Sequence, residues 1–565
     1  ATEDLVYING GHDGAGVERA ELDEGALRRA VGERRGRVAA FAVSSYFGVR
    51  NPAHELRARQ IIEQLTADWP AGPLPVTCGH ELSDKLDSLR RATTAALNAR
   101  LVPLLQELIA TVRRVLDELG IAAPLMVVRG DGSLVRADWA EHRPIETVLS
   151  GPAASVVGAW HLAGRRDAWV VDVGGTTTDI ALLRDGRPRL SPEGARVGRW
   201  RTMIETVDVA TVGLGGDSHV HLVGGAFEIG PRRVVPLCLL ASEYPEVFEE
   251  LRRQRGQLQG EELAGQFALG QGRVPAVLDR RAGDLLARLD SRPRSLVRLC
   301  EEAPFGRLLI GPLERLEAGR LVLRAGFTPT DALHVLGRFA RWDAAASVLG
   351  AELLAAYLGC APAELCERIV AAVSDRLTGA LVGKVLGDET GDWESAQRAE
   401  PLLERARGEV PDSDLQCRLS LRRPLVAIGA PVGVYLPRTA AQLDAELIVP
   451  PHAAVANAVG AVAGGVVQSQ RVLVRPGGAA YQVLSPDGVR PATSVEEGVN
   501  WAEAEMPERL RALCLQAGAE QVEVRVARQD HNVPVGSGGD GEVFVETELV
   551  FTAVGRPGMA EVRES

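Results

Sequence analysis

The residues with the clearest chemical potential form one short segment rich in glycine and threonine, with an aspartate at each end: Asp172-Val173-Gly174-Gly175-Thr176-Thr177-Thr178-Asp179. Adjacent glycines let backbone N–H groups converge on an anion, and three hydroxyl groups add further donors. The two carboxylates could hold a divalent cation or orient a water molecule. The segment therefore predicts a phosphate-binding loop, and an ordinary hairpin turn is the alternative.

Two later glycine-containing segments could also face a ligand. Residues 211–218 read Thr-Val-Gly-Leu-Gly-Gly-Asp-Ser, and residues 429–433 follow a predicted strand over Leu425–Ile428. Just after the first of these segments, Asp217, His219 and His221 alternate, so on a strand they would share one face at a spacing that could bind a metal. We favour a polar edge strand over a metal site there.

Two groups of polar residues are candidates for substrate contacts. Thr93, Thr94 and Asn98 lie within about one and a half turns of a predicted helix, so they could point together into a cleft, and packing inside the helix is an equal alternative. Arg129 and Asp131 follow a predicted strand, at the kind of position where α/β sheets bind ligands. A turn held by an Arg–Asp pair is the competing explanation.

His54, Glu55 and Cys78 carry reactive side chains, but we assign none of them to catalysis. His54 and Glu55 follow Asn51-Pro52, a helix-start signal, and a carboxylate in the first turn of a helix favours the dipole. Cys78 precedes Gly79-His80, yet the sequence offers no third residue to orient a nucleophile. We predict a buried structural thiol.

Apolar runs on both sides of residues 172–179 indicate the elements that position this segment. Residues 168–171 and 180–183 predict two buried strands of a hairpin, and the turn at residues 185–188 predicts a third strand of an antiparallel meander. Residues 83–120 have helical spacing of apolar residues. Residues 453–467 predict a closely packed buried helix, and residues 328–331 predict a helix start.

The bulk composition limits the classes of function. The chain has 565 residues, 63 basic and 75 acidic side chains and a formal charge of −12, which argues against a nucleic-acid-binding surface as its main purpose. Its seven scattered cysteines contain no CxxC pair and fit reduced thiols in a cytoplasmic protein. The most apolar run, residues 453–467, is shorter than the roughly 20 residues that a bilayer requires, so we expect no membrane association.

Five motifs in a fixed order give the chain a family resemblance. They are Arg50-Asn-Pro-Ala-His-Glu55, Arg91-Ala-Thr-Thr94 with Asn98, Ser150-Gly-Pro-Ala-Ala154, residues 172–179 and residues 211–218. Together they resemble the hydantoinase A/oxoprolinase family over roughly residues 1–465. That family is similar to sugar kinases, actin and heat-shock ATPases.

This resemblance implies an α/β fold with a two-lobed, ribonuclease-H-like (actin-like ATPase) core. Residues 1–120 would be the remainder of an N-terminal lobe. Residues 121–468 would be the hydantoinase A-like ATPase lobe, with a helical insertion at about 240–345. Residues 469–565, where strand-like and helical patterns alternate, would form a small α+β domain.

The resemblance also implies ATP and Mg²⁺ as cofactors and assigns roles to particular residues. Asp172 and Asp179 would be the catalytic carboxylates, and Asp172 would order the magnesium ion or a water molecule. Nucleotide contacts would come from the two glycine-rich loops and the later glycine turn, namely Gly174, Gly175, Thr176, Thr177, Thr178, Gly215, Gly216, Asp217, Ser218, Gly429 and Gly433.

Family members generally have a further Asp-x-Gly-Gly-Thr loop near the N-terminus, which holds phosphates from the opposite lobe. In this chain Asp13-Gly14-Ala15-Gly16 is the candidate nearest that end, but it has neither a threonine run nor an apolar strand before it. We therefore predict a simple turn there, and one phosphate loop within the chain rather than two.

The activity implied is ATP-dependent activation and hydrolysis of a cyclic amide or imide such as a hydantoin, oxoproline or lactam. The ATP-using subunit of a ketone carboxylase is one alternative. A nucleotide-dependent switch or reactivating chaperone without small-molecule chemistry is another. A hydantoinase B-like subunit is the expected partner, and a homo-oligomer is a further expectation.

Overall fold

Runs of valine, isoleucine and leucine form the sheet that carries residues 172–179. In the computed structural model, Ala168–Val173 and Thr178–Arg184 form an antiparallel hairpin, which confirms the predicted strands. Five of the six residues in the first strand are buried, as is typical of strands covered on both faces. The glycines and threonines therefore lie at the tip of a buried hairpin.

Two further strands of this sheet run parallel to Ala168–Val173. Leu425–Ile428 pairs with it directly, and Leu447–Ile448 pairs with Leu425–Ile428. At the other edge, Val209–Val212 pairs antiparallel with Thr178–Arg184. The carboxyl ends of Ala168–Val173 and Leu425–Ile428 consequently meet at one edge of the sheet, the edge where α/β proteins usually bind ligands.

The third strand of the predicted meander is shorter than expected. After the turn at residues 185–186, Arg187–Pro188 pairs with Thr178–Arg184 over two residues. Pro188 has no backbone N–H, so it cannot continue an antiparallel ladder. Val209–Val212 occupies most of that edge instead.

The structure describes residues 4–70, 72–257, 261–273, 278–302, 306–391, 399–478, 480–534 and 542–558. The chain forms two compact units that alternate along the sequence. The first comprises Ala1–Gly158, Pro188–Asp208 and Asn457–Ser565, and the second comprises Ala159–Arg187 and Val209–Ala456. The three consecutive domains expected from the sequence stay a prediction.

The second unit contains strands where the sequence predicted a helical insertion. Within residues 240–345, Phe267–Gly270 and Val322–Gly326 pair antiparallel in a four-stranded sheet that also includes Val235–Pro236 and Arg294–Ser295. The prediction of a helical insertion missed these strands, which are only two to five residues long. Such short runs show no period that separates them from helix. A separate hairpin pairs Ser218–Val223 with Ala226–Arg233.

Helices make up much of the remainder of the second unit. The predicted start at residues 328–331 is confirmed, because the Thr328 side chain accepts a hydrogen bond from Asp331 N and Pro329 begins the helix. The helices are Leu237–Glu243, Glu246–Gln257, Arg280–Leu286, Leu296–Glu302, Ile310–Ala318, Pro329–Val335, Ala345–Leu358, Pro362–Thr390, Glu400–Ala406 and Val432–Gln442.

The N-terminal part of the first unit begins with a hairpin of Gly11–His12 and Glu18–Ala20. Residues 13–16 form the turn of this hairpin, as predicted, and the Asp13 carboxylate accepts hydrogen bonds from Ala15 N and Val17 N. A parallel pair, Phe41–Val43 with Val76–Cys78, follows. Other elements are the helices Glu24–Gly32, Ala53–Thr66, Ser88–Glu118 and Ala137–His142, the helix Ser150–Ala163 that continues into the second unit, and the strand pairs Met126–Val128 with Leu134–Arg136 and Arg196–Val197 with Trp200–Arg201.

The predicted long helix at residues 83–120 is confirmed as Ser88–Glu118, with Pro103 inside it. By length and composition alone it could cross a membrane, since its most apolar 18-residue window has a mean hydropathy of 1.2. The bent pair Ala345–Leu358 and Pro362–Thr390 passes the same test only if it is counted as one span. One or two such helices are weak evidence, because core helices of soluble proteins also meet this criterion.

A five-stranded antiparallel sheet forms the C-terminal part of the first unit. Its order is Gly488–Ala492, Ala480–Ser485, Val466–Gly477, Glu542–Pro557 and Ala519–Pro534. The helix Val495–Gln516 packs on it through buried residues such as Met506 and Leu510. These elements match the mixture of strands and helix expected of this segment.

The apolar run at residues 453–467 is not one buried helix. A short turn, Ala453–Val455, leads into the helix Ala456–Ala463, in which Val462 is 79% exposed. Two glycines, Gly464 and Gly465, end the helix, and the strand Val466–Gly477 follows at once. The apolar run therefore spans a short helix and the start of a strand, where Val466 is buried.

Candidate active site

The tip of the Ala168–Val173 and Thr178–Arg184 hairpin is accessible to a ligand. Gly174 N donates to Thr177 O at 2.9 Å and closes the turn. Gly175 and Thr176, at its apex, are exposed, and Thr177 is half-buried. The apex thus presents small residues and threonine hydroxyls outward, as a phosphate-binding loop requires.

The second glycine-rich loop, residues 211–218, donates backbone hydrogen bonds to the first, residues 172–179. Gly216 N donates to Gly174 O at 3.0 Å, and Asp217 N donates to Gly175 O at 2.6 Å. A Cβ atom on Gly215 would lie 2.5 Å from Gly175 O, so the two backbones can approach this closely only with glycine there.

The remaining amides of the second loop are also engaged within the protein. Gly215 N donates to the Ser218 hydroxyl at 2.9 Å, and Ser218 N donates to Gly215 O at 3.1 Å. The N–H groups of Gly216 and Asp217 thus hold residues 172–179 in place, those of Gly215 and Ser218 close the second loop itself, and nucleotide contacts from these four residues stay a prediction. The sequence showed two loops but gave no sign that they bond to each other.

The Asp217 carboxylate lies beside the apex of the hairpin. A Cβ atom on Gly175 would lie 2.6 Å from Asp217 Oδ2, and Arg233 pairs with the same oxygen at 3.1 Å. Burial raises the pKa of Asp217, and Arg233 opposes only part of that shift. An acidic group with an arginine partner therefore borders the accessible loop.

The aspartates at the two ends of the motif are neighbours across the hairpin. Asp172 and Asp179 are direct cross-strand partners, and the Thr211 hydroxyl donates to Asp179 Oδ1 at 2.6 Å. Burial raises the pKa of Asp179, and the Thr211 hydrogen bond offsets only part of the shift. Paired carboxylate oxygens of this kind suit a divalent cation.

Thr178 differs from the other threonines of the motif. It is fully buried, and its hydroxyl donates to Leu214 O at 2.8 Å. That bond ties the hairpin to the second loop, so the Thr178 hydroxyl already has a partner within the protein. The accessible hydroxyls of the motif are those of Thr176 and Thr177.

Gly429 brings a third segment to the same edge of the sheet. Ile428 is the register partner of Asp172, and Gly429 follows it with φ of 103°. A Cβ atom on Gly429 would lie 2.2 Å from Val173 O and 3.2 Å from Asp172 Oδ1. Both the backbone conformation and the contact require glycine. Gly433 is exposed in the first turn of Val432–Gln442, with open space around its Cα.

Thr94 and Asn98 have their polar groups bonded within the first unit. The Thr94 hydroxyl donates to Arg90 O at 2.7 Å and accepts from Met203 N at 3.0 Å. The Asn98 amide donates to Thr77 Oγ1 and accepts from Ile145 N. Thr93 donates to Leu89 O within its own helix. Packing accounts for these contacts, and a role in binding substrate stays a prediction.

Arg129 and Asp131 form a turn held by charge. Arg129 lies 3.5 Å from Asp131 and 3.1 Å from Glu146. Asp131 Oδ1 accepts from both the backbone N and the hydroxyl of Ser133. The structure thus shows the features of the turn explanation.

The sequence did not reveal that the Glu55 carboxylate bonds to His80, close to Cys78. The fully buried Glu55 carboxylate accepts from Ser45 N at 2.7 Å, His80 N at 3.0 Å and His80 Nδ1 at 2.6 Å. It thus joins three segments rather than serving only its own helix. His54, by contrast, bonds to Glu18 at 2.7 Å.

Glu55, Cys78 and His80 offer ligand atoms within 4.8 Å of one another. The arrangement is satisfied without a cation, because the Glu55 carboxylate already has several donors. Cys78 is fully buried, and burial raises its pKa to about 12, in keeping with a structural thiol. Among the described residues, metal-binding spacing occurs here and not in the alternation of Asp217, His219 and His221. The strand Ser218–Val223 is an edge strand because its sheet has two strands, but His219 on it is buried and not exposed.

Comparisons with known proteins identify the family. The model of the hydantoinase/oxoprolinase family matches residues 91–378, and the model of its N-terminal region matches residues 1–66. The chain belongs to the hydantoinase/oxoprolinase family. Residues 172–179 and 211–218, whose contacts form the candidate site, both lie inside the first match.

Two curated members of this family illustrate the relationship. The chain is 32% identical to caprolactamase subunit alpha of Pseudomonas jessenii over 222 residues, which cover 38% of this chain and 31% of that protein. It is 29% identical to the acetophenone carboxylase gamma subunit of Aromatoleum aromaticum over 228 residues, which cover 39% and 31% respectively. These matches span about a third of the length of each relative.

A solved structure of the ATP-dependent caprolactamase from Pseudomonas jessenii has the same fold. It aligns with a TM-score of 0.58 at 20% sequence identity and covers 99% of this chain and 71% of that one. At this identity the likeness concerns the fold alone, and it agrees with a mixed α/β architecture.

Proposed function

We propose that this chain is the ATP-using part of an enzyme that activates a cyclic amide or imide for hydrolysis. The main support is the accessible tip at residues 174–177, held by the second loop and bordered by Asp172 and Asp179. Membership of the hydantoinase/oxoprolinase family and the similarity to a caprolactamase subunit favour this substrate class.

A ribonuclease-H-like sheet within a two-lobed, actin-like ATPase is the finer fold that we propose. The strand order supports it. Numbered in chain order, the five main strands lie across the sheet in the order 3-2-1-4-5. Of the two strands beside the central strand 1, strand 4 is parallel to it and strand 2 is antiparallel. The N-terminal region would belong to the other lobe.

The accessible groups of the hairpin would hold the phosphates of ATP. Gly175, Thr176 and Thr177 offer backbone N–H and hydroxyl donors, which favour developing negative charge on a transferring phosphoryl group. Asp172 and Asp179 would hold Mg²⁺, which neutralises charge on the phosphates when it is bound. The second loop acts indirectly, by fixing the position of the first.

The reaction that fits this site uses phosphorylation to overcome the poor electrophilicity of an amide. The amide oxygen attacks the γ-phosphorus, the bond to the β–γ bridging oxygen breaks and ADP leaves. Water adds to the activated carbon, and cleavage of the ring C–N bond gives an amine and an acyl phosphate. A second water releases inorganic phosphate and leaves a carboxylate.

Substrate-stimulated ATP hydrolysis tests this proposal. We would measure it for the full-length protein, alone and with a hydantoinase B-like partner subunit, across hydantoins, oxoproline and lactams. Asp172→Ala should abolish the stimulation, whereas Asp167→Ala, just before the other end of the same strand, should retain it. Unchanged stimulation in Asp172→Ala would contradict the site.

The ATP-using subunit of a ketone carboxylase is the second candidate, favoured by the similarity to the acetophenone carboxylase gamma subunit. Stimulation by a ketone with bicarbonate, and none by cyclic amides, would select it. Nucleotide binding without stimulated turnover, together with a stable protein partner, would instead select a switch or reactivating chaperone.

A further inference from the structure

A buried arginine in the second unit lacks a complete set of partners. Arg324, on the strand Val322–Gly326, is 4% exposed. Its Nη2 donates to Gln266 Oε1 at 2.8 Å. Its Nε and Nη1 are buried and have no acceptor among the described residues. Two donors of a cationic group therefore remain unused inside the protein.

A buried histidine lies beside this arginine's strand. His219 is 3% exposed, and a Cβ atom on Gly326 would lie 3.0 Å from His219 Nε2. Arg324 and Gly326 are two residues apart on one strand, so they share a face and His219 covers that face. His219 Nδ1 is buried and has no partner within the described part of the chain.

Within the described part of the chain, no acidic residue forms an ion pair with Arg324. Glu314 and Glu317 pair with Arg232 instead, at 3.0 Å and 3.3 Å. Burial and Arg232 lower the pKa of Arg324 to about 10, so it stays charged at pH 7. Burial, His221 and Arg324 lower the pKa of His219 to about 3, so it is neutral at that pH. The net charge of the Arg324 and His219 pair is therefore one positive charge.

Gln266 fixes the orientation of the arginine. Its Oε1 accepts from Arg324 and its Nε2 donates to Glu262 O at 2.9 Å, so the amide cannot turn without losing a bond. The Arg232 side chain is 33% exposed and acts electrostatically on both Arg324 and His219.

A buried charge that lacks a partner is strongly unfavourable, and proteins retain one where an opposite charge completes it. We propose that Arg324 and His219, with Gln266 as a positioning residue, form a binding site for one small planar oxoanion, a carboxylate or bicarbonate. Arginine binds such groups through two or more N–H donors. A single positive charge matches a monovalent anion better than a phosphate dianion. The site uses residues outside the 172–179 hairpin.

Thermal unfolding of the full chain provides the test. Sodium acetate, bicarbonate and phosphate would each be titrated against chloride at constant ionic strength. Acetate or bicarbonate should raise the Tm of the wild type saturably, by roughly 2 °C or more at high occupancy. Arg324→Met should show no such rise and should have a higher Tm than the wild type in chloride, because an unpaired buried charge has been removed.

Two matched variants exclude other sites. Arg338→Met removes an exposed arginine paired with Glu367 and should keep the acetate response. Thr176→Ala removes an exposed hydroxyl from the hairpin apex and should keep it as well. If Arg324→Met does not fold, His219→Asn should weaken the response in its place.

Three results would overturn the proposal. The first is an equal anion response in the wild type and Arg324→Met. The second is stabilisation by phosphate alone. The third is no anion response together with coupling between Arg324→Met and Glu317→Gln in a double-mutant cycle, which would show that Glu317 completes the arginine.

Discussion

Asp172 and Asp179 lie directly opposite each other on the two strands of one hairpin. Like charges in this position destabilise an antiparallel pair, because the side chains of direct cross-strand partners are close. The Thr211 hydroxyl donates a hydrogen bond to Asp179 Oδ1 at 2.6 Å. A cation bound between two such carboxylates would offset repulsion of this kind.

We predict that Asp179→Asn stabilises the metal-free protein while weakening its binding of Mg²⁺ and MgATP. The substitution removes one of two facing charges, and the asparagine Oδ1 can still accept from Thr211. The expected gain is about 0.5–1 kcal/mol, by analogy with other cross-strand pairs. Urea unfolding with and without Mg²⁺ would measure both effects. Equal Mg²⁺ stabilisation of the variant and the wild type would contradict the assignment.

As the pH falls, cation binding at Asp172 and Asp179 should begin to weaken at a higher pH than it would at aspartates with the usual pKa. Burial raises the pKa of Asp179, and a metal ligand must be deprotonated. As the pH falls through that raised pKa, protons compete with Mg²⁺ for the Asp179 carboxylate. In Mg²⁺ titrations from pH 7 down to pH 4, the loss of affinity should therefore begin at a higher pH in the wild type than in Asp179→Asn. Parallel pH profiles would contradict this.

The contact between the two glycine-rich loops can be tested at Gly215. A methyl group there would lie 2.5 Å and 2.6 Å from the carbonyl oxygens of Gly175 and Gly174. Because backbone cannot yield as a flexible side chain would, we expect Gly215→Ala to cost about 1–3 kcal/mol and to displace the hairpin tip. ATP affinity should fall with it.

Gly283→Ala is the matched control for this change. Gly283 lies in the helix Arg280–Leu286, and nothing is within 4 Å of its added Cβ atom. Alanine in a helix is more favourable than glycine, so stability should rise by up to about 1 kcal/mol with ATP affinity unchanged. Loss of ATP binding in both variants would point to a general effect and not to the loop contact.

The hairpin and its accessible loop were predictable from local signals. Apolar runs on both sides of residues 174–177 define two strands, and the glycines define the turn between them. The strand that pairs with the outer edge of Thr178–Arg184 was not predictable. Pro188 ends the first candidate after two residues, and Val209–Val212, about 20 residues further along the chain, takes most of that edge. No local signal specifies which of two distant segments pairs with a strand.

Contacts across long sequence separations account for the rest of what the sequence did not reveal. The bonds from Gly216 and Asp217 to the first loop join segments about 40 residues apart, and Gly429 returns to Asp172 from more than 250 residues away. The motifs indicated which residues matter, but only packing showed that the second loop holds the first.

Asn98 and Thr93 offer a direct test of packing against substrate binding. Asn98 is fully buried and bonds to Thr77, His142 and Ile145, whereas the Thr93 hydroxyl bonds only within its helix at Leu89 O. Asn98→Ala should cost about 1–3 kcal/mol, because it leaves buried groups unpaired. Thr93→Ala should change stability by less than about 0.5 kcal/mol.

Kinetics of the same two variants would complete this test. If packing is the role of Asn98, the KM for the activating substrate should stay unchanged at temperatures where the variant is folded. A large rise in KM for either variant, with folding intact, would instead support the substrate contact predicted from the sequence.

The Glu55 carboxylate should make the stability of the protein depend on pH in the acidic range. Burial by itself would raise the pKa of Glu55, but hydrogen bonds from His80 and Ser45 outweigh it and leave the pKa lowered. Stability from the ionised group is therefore fully present above the pKa of an unfolded glutamate, about 4.3, and is lost as the pH falls through the lower folded value.

We predict that Glu55→Gln lowers stability at pH 7 by about 2–3 kcal/mol and flattens this acidic dependence. Glutamine keeps the size of the side chain but has one fewer strong acceptor for the His80 and Ser45 donors. Urea unfolding from pH 7 to pH 3.5 would measure both, with Glu18→Gln as the control because that carboxylate is exposed and bonds to His54. If the wild type and Glu55→Gln lost stability in parallel as the pH fell, the acid dependence would have to arise from carboxylates other than Glu55.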